Sequence, residues 1–564
     1  MKKSWYLAWL GFAIVMALAI SFRLYDITHY PAGLFPDQAA NGEDALLILH
    51  GHLQPFYPRG NGREALFFYI QAAFIHFFGI GVWPMFAASA AVGTLGVVFT
   101  YVALLVWFGP LTAFFGGLCM ATNHWAVTIS RDGFRAGMIP LFVAAFTAFV
   151  GLAVQAVRRK QTALSYVYAV LAGAAFMGGF YTYIAYRVMV GVILGMCILL
   201  LMAALHAKVG FPQLKRYRVH LLAAAAIGVI VIIPLAWYFI HHPEAFVGRA
   251  GQVSVFNPSL QVPGGVVPTI LDVTKKTILS FFIGHGDLNW RQNVAGFPLL
   301  NPLVALAFLT GLVLVLDRCV RVAYCLVRGH TIGRDFIYPY LLLVLGGMLA
   351  PVITTAEGIP HGLRSIGLLV PIMALAALGM TYIWRWVSRN AHSLVIRRSL
   401  YGVLAGLMVV FMLYDATLYF LIARNDPNAY YAFRGDLTIV SNYINEYRAR
   451  HADLPRPYLV LDAYSLQTVH YLCSVAAHED GSHPDAALHK YQDVDPAQSH
   501  TVDLAPNEII IFTQSTIADA DRYISVHPDV KLITNAHNRW GQEIMRVYGA
   551  PENSPGPDDS SLDS

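Results

Sequence analysis

The sequence predicts an all-α polytopic membrane protein of about eleven transmembrane helices, carrying a small C-terminal α/β exterior domain. Three observations predict it. Of 564 residues, 57% are hydrophobic and only 13% charged, about half the charge density of an ordinary soluble chain, and the mean hydropathy is +0.54. The apolar residues gather in runs of spanning length. The charge is also divided: residues 1–421 hold 28 Lys and Arg against 13 Asp and Glu (net +15), whereas 422–564 hold 10 against 20 (net −10). Two regions in different solvents are implied. A secreted soluble enzyme, a disordered scaffold and a nucleic-acid-binding domain are excluded by this composition, and no nucleic-acid partner is expected.

The first run, 5–22, comes after Lys2 and Lys3. It is read as an uncleaved span rather than a signal peptide, and either reading puts the chain beyond Arg23 outside. Further runs are 64–80, 83–108, 111–128, 136–157, 163–180, 188–206, 218–240, 298–316, 335–354, 365–384 and 399–421, each apolar enough to be weighed as a span. Basic clusters at Lys2 and Lys3, 158–160, 208–218, 318–334 and 385–398 belong on the cytoplasmic side. Even numbers of spans must then separate them, yet five runs lie between Lys3 and Arg158. One of the five does not cross. The run 64–80 is chosen because Arg63 and Glu64 stand at its entrance and Gln71 and His76 within it; it is expected to lie at the outer interface. Eleven spans remain, in a multi-pass plasma (inner) membrane protein with a cytoplasmic N-terminus and an exterior C-terminus.

The exterior loops are then 23–82, 129–135, 181–187, 241–297 and 355–364. Ten of the thirteen acids of the membrane region fall in them, five in the first loop alone. The expected division is a transmembrane module over 1–424, a soluble exterior domain over 425–550, and a disordered tail over 551–564, where ENSPGPDDSSLDS is acidic and rich in Pro and Ser. Within the soluble domain, 433–451 and 515–525 read as helices and 458–462, 508–513 (EIIIFT), 530–534 and 543–548 as strands. The five cysteines offer no exposed pair for a disulfide.

Candidate chemistry lies in the exterior loops. GLFPDQAANGEDALLILHG places Asp37 after a proline and before a helix-forming run. Its carboxylate could cap that helix or serve as a general base toward a hydroxyl or amine; sequence alone leaves both open. Asp44 comes seven residues later on the same helical face. NGREALFFYI carries Arg63 and Glu64, and ISRDGFRAGMIP carries Arg131, Asp132 and Arg135; the arginines suit either a lipid phosphate or interfacial snorkelling paired to Asp132. GHGDLNWRQN supplies Asp287, and TAEGIPHGLRSIG supplies His361 and Arg364. No His, Cys and Asp spacing reads as a tight metal site.

The order of these pieces, GLFPDQA, NGREALFFYIQAAFIHFFG, SRDGFRAGMIP, GHGDLNWRQN and PHGLRSIG, resembles the GT-C superfamily of polytopic glycosyltransferases, and within it the family 39 branch of protein O-mannosyltransferases and lipid A aminoarabinose transferases. The resemblance covers most of residues 5–421 and implies interfacial helices in the first exterior loop. It also implies inverting transfer of one hexosyl or pentosyl unit from a polyprenyl-phosphate-linked donor to a protein, lipid or glycan acceptor at the outer face, among membrane lipids. Asp37 matches the family's first-loop general base and Asp132 its second-loop acid, while Arg131, Arg135 and Arg364 would stabilise the departing lipid phosphate. Asp44, Arg63, Glu64, Asp287 and His361 would line the substrate site. Many relatives place Glu after the first aspartate where this chain has Gln38, removing one hard oxygen anion; no cofactor is required and a divalent metal stays an open alternative. The competing class is a secondary transporter or lipid flippase. Against it, ionisable groups deep in the spans are nearly absent, Asp415 being the clearest exception.

Overall fold

The computed structural model describes residues 2–206, 210–246, 253–284, 286–330, 335–391, 393–474 and 490–550. Lys208, His285, the end of the basic cluster at 331–334 and the acidic tail 551–564 lie outside them. Helices dominate. Helix α1 spans Lys2–Leu24, α2 Pro36–Leu49, α3 Leu66–Phe78, α4 Val82–Phe108, α5 Pro110–Thr122, α6 His124–Ile129, α7 Ile139–Arg158, α8 Thr162–Gly178, α9 Met189–His206 and α10 Gly210–His241; the later long helices are Val266–Phe282, Pro302–Val327, Ile337–Ile353, Leu369–Asn390 and Leu394–Thr417.

Among the described residues nine helices are long and apolar enough to cross a membrane, which makes this a multi-pass membrane protein. The count differs from the eleven expected, at two places. The run 111–128 is broken into α5 and α6 because Asn123 caps α6, its side-chain oxygen accepting from the Ala126 N–H at 3.3 Å. That leaves α5 with 13 residues, about 20 Å at 1.5 Å per residue, against a hydrocarbon core of about 30 Å. The run 335–354 forms a 17-residue helix, Ile337–Ile353, also on the short side. The 64–80 run condenses to the 13 residues of α3, again shorter than a crossing needs.

The chain forms two compact units. The first comprises 1–25, 55–67 and 89–423. Its helices approach through small residues: a Cβ on Gly311 would stand 1.8 Å from the Leu375 carbonyl oxygen, and one on Gly379 would stand 2.0 Å from that of Ala307. Helices Pro302–Val327 and Leu369–Asn390 therefore touch backbone to backbone, as apolar solvent favours. Two buried arginines secure helix ends. Arg23 donates to the Met120 and Ala121 carbonyls at the end of α5, both at 3.0 Å, and Arg131 donates to Phe22 O at 3.3 Å and Tyr25 O at 2.7 Å at the end of α1. Each satisfies carbonyls that a helix C-terminus leaves without a partner.

The second unit gathers 26–54, 68–88 and the chain from 424 on. The two earlier segments pack with the C-terminal region. The tail holds a five-stranded sheet of order β4-β3-β5-β7-β6, with β3 Tyr458–Val460, β4 Gln492–Val494, β5 Ile509–Thr513, β6 Lys531–His537 and β7 Glu543–Gly549; a small hairpin in the first unit supplies β1 Phe56–Tyr57 and β2 Arg63–Glu64. Strand β3 runs parallel to both neighbours, while β7 is antiparallel to β5 and β6. Central β5 is buried on both faces. Ile509 and Ile511 join the core under helices Gly435–Arg450 and Leu466–Cys473, and Ile510 and Phe512 join the core under helix Ile517–Val526. An unbroken apolar run is what two covered faces require.

Candidate functional site

In the second unit the first loop enters α2 at Pro36, with Phe35 at the N-cap position. The cap is made by Gln38, whose side-chain oxygen accepts the Phe35 N–H at 2.7 Å, the third helical residue reaching back to the entrance. Asp37 is therefore not the cap. Its carboxylate is half-buried, and Oδ1 accepts the Tyr464 hydroxyl at 3.1 Å. Asp44, expected on the same face, is buried to 1% exposure, and Glu43 stands 4.0 Å from the His470 ring.

Helix Leu466–Cys473 is what brings these residues together. Thr468 Oγ1 donates to Leu34 O at 3.0 Å, and Phe35 meets the Tyr464 ring edge-on at 5.8 Å. A Cβ on Gly42 would stand 2.5 Å from the Tyr471 ring, so only glycine lets α2 lie this close. Beside it Arg434 makes a forked pair with Asp436 at 3.0 and 2.9 Å and donates to Ser465 Oγ at 2.6 Å.

The first unit holds the other sequence-derived residues, in two clusters. Glu64, 3% exposed, receives Arg135 Nε at 3.2 Å and lies 3.7 Å from the Arg187 guanidinium. Arg135 lies over the Tyr183 ring and Arg187 over Phe246. Arg63 is buried beside Glu64 on β2. Two guanidiniums against one carboxylate leave a net positive charge among aromatic walls, suited to an anion.

The second cluster joins the loops around 132, 287–292 and 357–364. Asp132 is fully enclosed and accepts the Phe134 N–H at 3.0 Å; burial pushes its carboxyl well above the ordinary range, against the pull of the Phe134 amide and Arg291. Asp287 Oδ2 accepts the Gly362 N–H at 2.7 Å and Oδ1 the Asn289 N–H at 2.8 Å. Burial nonetheless raises it to about 6, opposed by those two amides, Arg291 and Arg364. The positive charge of Arg291 thus bears on both acids. Arg364 grips Glu357 through its carboxylate and its carbonyl, both at 2.6 Å, and the His361 ring accepts the Arg364 N–H at 3.4 Å.

Arg131 is fully buried; its guanidinium bonds the end of α1 and lies over the Tyr419 and Phe420 rings. Sequence reasoning missed Arg187, Arg291 and Tyr464 as partners. Arg187 carried a signal, being a cation on an expected exterior loop. Tyr464 carried none, since its partner is 427 positions away. Nor was the partner set of Asp415 foreseen: His124 Nδ1 lies 2.6 Å from Oδ1 and Asn301 Nδ2 lies 2.5 Å from Oδ2, with His124 Nε2 3.0 Å from the Pro298 carbonyl. Among the described residues no group of three His, Cys, Asp or Glu gathers as a metal site.

No protein-family model matches the chain, and no curated protein matches it. Among solved structures it is similar to ArnT from Cupriavidus metallidurans bound to undecaprenyl phosphate, at TM-score 0.49 and 12% identity over 95% of this chain and 97% of that one. It is also similar to the archaeal oligosaccharyltransferase AglB from Archaeoglobus fulgidus in complex with an inhibitory peptide and a dolichol-phosphate, at TM-score 0.47 and 12% identity over 96% of this chain and 74% of that one.

Proposed function

We propose that this protein is an integral membrane glycosyltransferase that moves a single sugar from a polyprenyl-phosphate-linked donor to an acceptor at the outer face, with inversion. The observation that carries the reading is the state of Asp37. A carboxylate at a helix N-cap bonds the first-turn amides, but Asp37 lies inside α2 behind Phe35 and Pro36 and Gln38 makes the bond back to the entrance, leaving Asp37 half-buried with chemistry still available to it. Its place in the motif order that resembles the family 39 branch adds the role.

In that reading the acceptor hydroxyl or amine gives its proton to Asp37 as its lone pair attacks the anomeric carbon from the side opposite the phosphate. The bond from that carbon to the phosphate oxygen breaks, and the polyprenyl phosphate leaves with the electron pair. A phosphate leaving group needs no proton if cations neutralise it. The resemblance to the family 39 branch gives that role to Arg131, Arg135 and Arg364. Asp132, whose burial favours the protonated carboxyl, is suited to a hydrogen-bonding role rather than to a second base.

The test is transfer by purified protein in lipid, with a panel of polyprenyl-phosphate sugars and a membrane extract as acceptor, wild type beside Asp37→Asn. Loss of transfer with donor binding retained supports the reading. Undiminished transfer by the variant removes Asp37 as the base, and no transfer by wild type from any donor overturns the reading.

A further inference from the structure

We propose that Tyr464, on the C-terminal tail, is a positioning residue for Asp37, fixing the carboxylate for proton transfer; this rests on the glycosyltransferase reading. The Tyr464 hydroxyl donates to Asp37 Oδ1 at 3.1 Å. A carboxylate turns about a broad terminal torsion, so one bond to Oδ1 selects an orientation and leaves Oδ2 to receive the acceptor's proton. A base held within a fraction of an ångström of its working geometry is worth an order of magnitude or more in rate.

Tyr464 can do this because its own backbone is held. Its N–H and that of Ser465 both donate to Asp462 Oδ1, at 3.1 and 2.9 Å. Burial pushes the Asp462 carboxyl up, but those amides, the Ser465 hydroxyl and Arg434 together keep it below the ordinary range. Arg434 in turn bonds Ser465 Oγ and, at 3.5 Å, Ser515 Oγ, so the loops after β3 and β5 meet at one guanidinium. Phe35 packs against the Tyr464 ring from the α2 side.

The location has a topological reason. The chain leaves β3 for β4 on one side and returns past it to β5 on the other, all three parallel. The carboxyl ends of strands at such a reversal are where open α/β sheets bind and position ligands. Here that edge carries the residue that bonds Asp37, so the tail is part of the catalytic apparatus rather than an appendage.

The experiment compares wild type, Tyr464→Phe and Asp37→Asn in lipid, measuring kcat, the donor KM and the unfolding midpoint. Removing only the hydroxyl should lower kcat about tenfold with the donor KM and midpoint unchanged. A purely structural role would move the midpoint, and a donor contact would raise KM with kcat intact; either result overturns the proposal. Asp37→Asn inactive beside a fully active Tyr464→Phe overturns this inference alone, whereas wild type inactive with every donor overturns the underlying reading and this inference with it.

Discussion

Gln38 Oε1 accepts the Phe35 backbone N–H at 2.7 Å, and this bond secures the entrance of α2 while the carboxylate of the adjacent Asp37 meets the Tyr464 hydroxyl instead. Gln38→Ala should destabilise the second unit by about 1 kcal/mol, the usual cost of a lost cap, while Gln38→Glu keeps the bond. Asp37→Asn should leave the unfolding midpoint close to wild type and abolish transfer. Chemical unfolding beside the transfer assay measures both; a larger stability loss from Asp37→Ala than from Gln38→Ala would return the cap to Asp37.

Asp287 makes stability depend on pH with a definite sign. Its carboxyl titrates near 3.8 when unfolded and near 6 in the folded chain. Between those values the folded chain keeps a proton that the unfolded chain has released, so the contribution is full below about 4 and is lost as pH rises through 6. The difference corresponds to about 3 kcal/mol. Unfolding of wild type and Asp287→Asn at intervals from pH 4 to 7 should show this slope in the first and its loss in the second.

Asp415 is enclosed among His124 and Asn301. Asp415→Ala leaves both without their shared acceptor in the interior and should cost about 3–5 kcal/mol, read as a fall in unfolding midpoint in detergent. A change under 1 kcal/mol would mean that water reaches the site.

Gly42 sets how closely α2 lies on helix Leu466–Cys473. The methyl of Gly42→Ala would meet the Tyr471 ring at 2.5 Å, and overpacking of this kind costs about 1–3 kcal/mol. Faster proteolysis of the 26–54 segment should accompany it. Combining Gly42→Ala with Tyr471→Leu should recover part of the loss.

Much of the architecture was legible because it is written in local pattern. The run EIIIFT is apolar without alternation because β5 is covered on both faces, and the spans stand out by length. The break in 111–128 was harder: Asn123 interrupts a continuous apolar stretch through one side-chain bond, which periodicity does not register. The short elements that escaped the sequence had little signal of their own, such as β4, three residues long, and helix Leu466–Cys473. At the candidate site the residue types were readable and their partners were not. Arg131 and Arg135 look alike in SRDGFRAG, yet one closes the end of α1 and the other meets Glu64. That Gln38 rather than Asp37 bonds the entrance of α2 has no signal in the local pattern, and Tyr464 was beyond reach because only the fold makes it a neighbour.

The second compact unit is assembled from three stretches that are far apart in the chain, and this sets an order of events during synthesis. The segment carrying Asp37 leaves the ribosome well before the helix that packs on it, which ends at Cys473. More than four hundred residues intervene, about 20–90 s of translation at ordinary rates. Throughout that interval the Asp37 loop lacks its partners, so its setting is among the last parts of the molecule to form. A product truncated before Tyr464 would keep all nine candidate spans of the described residues and still lack the hydroxyl that meets Asp37.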